Sequence, residues 1–180
     1  MNKILSLIAD FFSSAAVTEM MTDSFQQLMA QHGLKFDLSD NAAMARVDIV
    51  DNRNMPYHFA YKHHSENFEV RYHVQNFSDV SERSAKSLLM ATTMNISGGN
   101  FETMTPFPTE AVKKEFGADW GMMSSVALQE SEFSKGYTQA MVILIRKENH
   151  AAYIFYMMDD DTLARFPSLS TAVFTALRFK

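Results

Sequence analysis

The sequence predicts an α+β domain, a mostly antiparallel sheet of about six or seven strands covered by helices and carrying an N-terminal helical extension. Three observations predict it. Gln139 to Met158 (QAMVILIRKENHAAYIFYMM) holds two apolar runs around the short polar break 147–150. Their Val, Ile, Phe and Tyr content marks a β-hairpin, and the lack of polar alternation says that both its faces are covered. Residues 57–75 hold a second hairpin that does alternate. Between and around these stand segments of helical period, at 14–32 and 79–97. We divide the chain into an extension over 1–33 and one α+β domain over 34–180.

Taken in order, Ile4, Ile8, Phe11 and Ala15 have helical spacing, as do Met21, Phe25, Leu28 and Met29. Residues 2–12 and 14–32 are expected to form two helices or one kinked helix, with Gly33 as the left-handed residue that ends it. Such an amphipathic face needs a sheet or another subunit to cover it. Two short strands follow, Leu34–Leu38 and Ala43–Val50, joined by a turn at Ser39-Asp40-Asn41. A further turn over 51–54 leads to the 57–75 hairpin. Requiring apolar to oppose apolar pairs Tyr61 with Phe68, Phe59 with Val70, and Tyr57 with Tyr72. The other face then carries His58, Lys62, Glu69, Arg71 and His73, and is expected to be open to water or set against a polar partner.

Asp79 and Glu82 have capping-box spacing, and Ala85, Leu88, Leu89, Thr92 and Ile96 give the buried stripe of the helix they start. Gly98-Gly99 ends it. Pro108 and Gly117 bracket a short helix. Trp120 leads into a strand over 122–129, a loop follows at 131–136, and then the apolar hairpin. Asp159-Asp160-Asp161 caps a last helix, interrupted at Pro167 and anchored by Phe174, Leu177 and Phe179.

Composition excludes more than it assigns. The 180 residues carry a net charge of −5, with 16 basic residues in no run longer than two. Nucleic-acid binding needs a basic face and is not expected. With no cysteine, thiolate metal sites, disulfides and Cys nucleophiles are ruled out. No apolar stretch reaches the length of a transmembrane helix. Met1-Asn2-Lys3 followed by ILSLIA resembles a secretory start, but Asp10 interrupts it, so a retained helix and a cytoplasmic protein are expected. The 14 methionines suit irregular cores and adaptable binding grooves alike.

The candidate binding residues are His58, His63, His64, Arg71, His73 and Trp120. In the register above His58 opposes Arg71, while His63 and His64 sit at the turn tip, too far for three convergent metal ligands. The acidic triplet at 159–161 suits a hard cation, but helix capping explains it with fewer assumptions. Gly98-Gly99-Asn100 follows a helix and lacks the Lys-Ser/Thr of a phosphate loop, and no G-x-S-x-G appears. Trp120, flanked by Gly117 and Gly121, reads as a core plug or as an interface anchor. No catalytic residue, metal or cofactor is assigned.

The stretches FGADWG, GYTQAMVILIRKENHAAYIFYMMDD and TAVFTALRFK make the second half, about Phe107 to Lys180, resemble the PsbP-like fold group. That group includes extrinsic photosystem subunits, a Ran-binding nuclear import factor and uncharacterised bacterial proteins. The resemblance implies an antiparallel sheet with helices on both sides and a non-catalytic scaffold or binding role. SLLMATTMNISGGN also resembles part of the type III secretion chaperones. The expected function is therefore an accessory or binding protein acting through protein–protein contacts, with a partner or self-association through the N-terminal helix. The alternatives are a small-molecule or metal-dependent enzyme using the His58/Arg71/His73 face, and a chaperone for a secreted effector.

Overall fold

The computed structural model describes residues 24–38, 42–52, 55–77, 81–100 and 103–180. The helix expected at 2–12, residues 14–23 of the one expected at 14–32, the turn at 39–41, Arg53 and Asn54 of the next turn, and the capping residue Asp79 lie outside the described residues. Nine strands are described: β1 Leu34–Phe36, β2 Met44–Val47, β3 Phe59–His63, β4 Phe68–Asn76, β5 Met104–Pro106, β6 Trp120–Ala127, β7 Gln139–Lys147, β8 His150–Met158 and β9 Leu177–Phe179. The helices are α1 (24–31), α2 Glu82–Ile96, α3 Thr109–Phe116, α4 Asp160–Leu163 and α5 Phe166–Ser170.

Seven strands form one antiparallel sheet in the order β2-β3-β4-β8-β7-β6-β5. β1 and β9 form a separate antiparallel ribbon. The apolar hairpin is β7–β8, closed by Glu148-Asn149 with Glu148 at φ 51°. β8 is the middle strand, buried at every position from Ala151 to Met158. The expectation of a hairpin covered on both faces holds.

Each face has its own core. On the first, Val70, Tyr72, Ile143, Ile154 and Tyr156 meet Met29 of α1, Leu34 and Leu177 of the ribbon, Phe116 of α3 and Phe166 of α5. On the second, Val142, Leu144, Tyr153 and Phe155 meet Ala85, Leu89 and Ile96 of α2, together with Tyr57, Phe133 and Tyr137. At about 25 cal/mol per Å² of apolar surface, each fully buried Leu, Ile or Phe here contributes about 1.5–3 kcal/mol.

Several expectations change in detail. α2 starts at Ser81, whose hydroxyl accepts from the Ser84 N–H, so the described cap is a serine. Its buried stripe is the expected one, apart from the half-buried Leu88 and the added Thr93. The β3–β4 register is two residues from the one read in the sequence: Tyr61 opposes Val70 and Phe59 opposes Tyr72. A shift of two preserves faces, so both pairs still point into the first core. Tyr57 precedes β3 and belongs to the second core instead. β5 and β9 are strands that the sequence did not disclose, and Leu177 and Phe179 lie on β9 rather than at a helix end.

Candidate functional site

Odd-numbered β4 residues Glu69, Arg71 and His73 face the second core. The face read as wet is covered, because the loop after Gln129 folds over it. Arg71 is fully buried. Its Nε donates to Glu69 Oε1 at 2.6 Å, and its Nη1 donates to the Phe133 carbonyl. The Tyr137 hydroxyl donates to the other Glu69 oxygen at 3.2 Å. The guanidinium carbon sits 5.0 Å from the Tyr57 ring centre and 4.9 Å from that of Phe133. A buried cation is tolerated when it is paired, hydrogen-bonded and enclosed by ring faces, as here. Burial raises the Tyr137 hydroxyl out of its ordinary range, and the neighbouring Glu69 carboxylate adds to that. This constellation clamps the loop to the sheet.

The predicted histidines separate into two groups. His58 does not oppose Arg71, whose partner is Ala60. It stacks on His73, with ring centres 4.8 Å apart and planes 8° from parallel. His58 Nδ1 accepts from the Val74 N–H at 3.0 Å, capping β4 where β3 has ended. His73 Nε2 lies 3.3 Å from Gln75 Oε1. At the opposite end, His63 Nδ1 accepts from the N–H groups of Ser65 and Glu66, and His64 is exposed.

Two histidines that sequence reasoning missed join the first group. His32, after α1, and His150, opening β8, bring their Nδ1 atoms within 3.2 Å. Their positions, 118 residues apart, give no spacing signal. Burial pushes the His32, His58 and His73 imidazoles below their ordinary value, with neighbouring histidines adding to the effect. Among the described residues no group of three or more His, Asp or Glu is placed to hold a metal.

Trp120 opens β6 half-buried and packs on the second core, opposite Arg146. Arg146 was not singled out from sequence. Its signal was a charge closing the apolar run of β7. Near this end of the sheet, Gln75 and Phe77 form a cleft of about 590 Å³ with Arg83, Ser87 and Leu88 of α2. A second cleft, also about 590 Å³, lies between Asn52, Asn95, Gln129 and Phe133. Asp159 is the N-cap of α4: its carboxylate accepts from the Thr162 N–H at 2.7 Å, and hydrogen bonds from the Thr162 side chain, from Asn67 and from this N–H hold it below the usual carboxylate range.

No family model matches the sequence, and no curated protein matches it. A solved structure of similar shape is the solution structure of cyanobacterial PsbP (CyanoP) from Synechocystis sp. PCC 6803. It superposes with a TM-score of 0.57 at 10% identity, over 83% of this chain and 88% of that one. The chain has a PsbP-like fold, and the likeness reaches well beyond the second half. No helix among the described residues is long and apolar enough to cross a membrane.

Proposed function

We propose that this chain is a non-catalytic accessory or binding protein that works through protein–protein contacts. The observation that carries this reading is on α2. Met90 and Met94 are 40% and 38% exposed, one turn apart on the outer face of a helix whose other side is buried. Methionine is flexible and polarisable, and suits a surface that adapts to a partner. Asn95, which follows Met94 on the same helix, lines the cleft beside Gln129 and Phe133. The N-terminal extension over 1–33 is assigned to the same role, as a contact element of a cytoplasmic protein.

The test is site-specific photocrosslinking in cells from positions 90 and 94, with Lys113 on α3 as the control position, alongside light scattering of the purified chain over a concentration series. A discrete adduct from 90 and 94 but not from 113, or a concentration-dependent rise in mass lost in a Met90→Ser/Met94→Ser variant, supports the reading. Absence of both removes it.

A specific observation also favours the small-molecule alternative. The His58–His73 stack is half-buried, and burial favours its neutral form, the form in which an imidazole acts as a base. Arg71 takes no part in that alternative, because its guanidinium is enclosed under the loop.

A further inference from the structure

The second core contains two buried arginines, and the described residues supply a counter-ion to one of them. Arg71 has Glu69. Arg146 is 9% exposed, its Nε and Nη1 are buried without a hydrogen-bond partner, and none of the ion pairs among the described residues includes it. Withdrawing a guanidinium from water without a partner is costly, and buried charges are as a rule paired.

The row of side chains that Arg146 belongs to runs out to an opening at Gln75. Gln75, Ala151, Arg146 and Trp120 form one row across the sheet on this face. Gln75 is a wall of the cleft under α2. Two strand spacings, roughly 10 Å, separate the Gln75 and Arg146 backbones. The residue between them is Ala151, whose side chain is a single methyl group. Arg83 sits across the cleft, and Leu88 and Trp120 border the same core.

We propose that this end of the sheet binds a small ligand bearing an oxyanion, a carboxylate or a phosphate monoester. The Arg146 fork takes the anion in the two-pronged geometry that guanidinium offers both groups. Arg83 adds positive charge at the rim, and the apolar body of the ligand lies against Leu88 and Trp120. The cleft lined by Gln75, Arg83 and Leu88, into which the rest of the ligand would extend, has the size of ordinary small-molecule sites. This assignment is independent of the protein-contact reading, which rests on Met90 and Met94.

Trp120 is the one tryptophan of the chain and pairs with Arg146 across β6–β7, so its emission reports on this site. The full-length protein is titrated at constant ionic strength with inorganic phosphate, with benzoate, and with benzamide as the uncharged isostere of benzoate. The expected result is a saturable emission change with phosphate or benzoate and none with benzamide. Saturation by phosphate alone assigns a phosphate ligand, and by benzoate alone a carboxylate. Arg146→Met weakens that binding by about ten-fold or more, as loss of a charge-assisted hydrogen bond implies. Arg83→Ala, an exposed change that decides the matter if Arg146→Met does not fold, weakens it by about three-fold. The proposal is overturned if neither anion gives a saturable change, if benzamide reproduces the benzoate response, or if a folded Arg146→Met variant or Arg83→Ala binds like the parent.

Discussion

Arg71 and Glu69 form an ion pair 2.6 Å long, two residues apart on one strand and both sealed from solvent. Each alone would be an uncompensated charge under Phe133. Glu69→Gln or Arg71→Met should therefore cost about 3–5 kcal/mol, as breaking a buried pair does. The double variant should cost less than the sum, because neither charge is then stranded. Urea unfolding of the four proteins measures this. Additive losses would mean that the pair does not act as a unit.

The imidazoles of His32, His58 and His73 make native stability fall in mild acid. Their native pKa values lie below the ordinary 6.5 that applies to the unfolded chain. Above that value all are neutral in both states and cost nothing. As pH drops through it, the unfolded chain takes up protons that the native state refuses, and stability declines. The urea midpoint should be lower at about pH 5.5 than at about pH 8, and His73→Gln should flatten the difference. A midpoint that rises on acidification would contradict the sign.

Gly117 ends α3 at φ 61°, and a Cβ there would meet the Phe179 carbonyl oxygen at 2.5 Å. Gly117→Ala should cost about 1–3 kcal/mol from backbone strain, plus the displacement of β9. Gly99→Ala, also at positive φ but with open space around it, is the control that isolates the strain. Equal losses at both positions would show that the contact with β9 adds nothing.

The acidic triplet can be dissected residue by residue. Asp159→Ala removes the cap of α4 and should cost about 1 kcal/mol, whereas Asp161→Ala should change stability by less than about 0.5 kcal/mol. Thermal melts check this. Equal losses at both positions would favour a role for the triplet as a whole.

The sequence disclosed what is local or continuous. β7 and β8 were legible because two unbroken apolar runs of strand length, rich in β-branched and aromatic residues, fit strands covered on both faces. The α2 stripe and the Gly117 stop were legible for similar local reasons. The β3–β4 register was missed by two residues because the turn runs through Asn67, longer than apolar matching alone suggested. The burial of Arg71 was illegible because what covers it, Phe133, lies 62 residues away. The polar letters of β4 therefore read as a wet face. Of the candidate site residues, His58 and His73 do meet, but His32, His150 and Arg146 join their ends of the sheet only through tertiary packing.

The β1–β9 ribbon pairs Leu34 with Phe179. No contact with so long an intervening loop can form until nearly all of the chain is available, and closing such a loop is slow. During synthesis the seven-stranded sheet has all its strands before β9 emerges from the ribosome. Closing the β1–β9 ribbon is thus a late event, with β9 acting as the latch on the segment that follows α1.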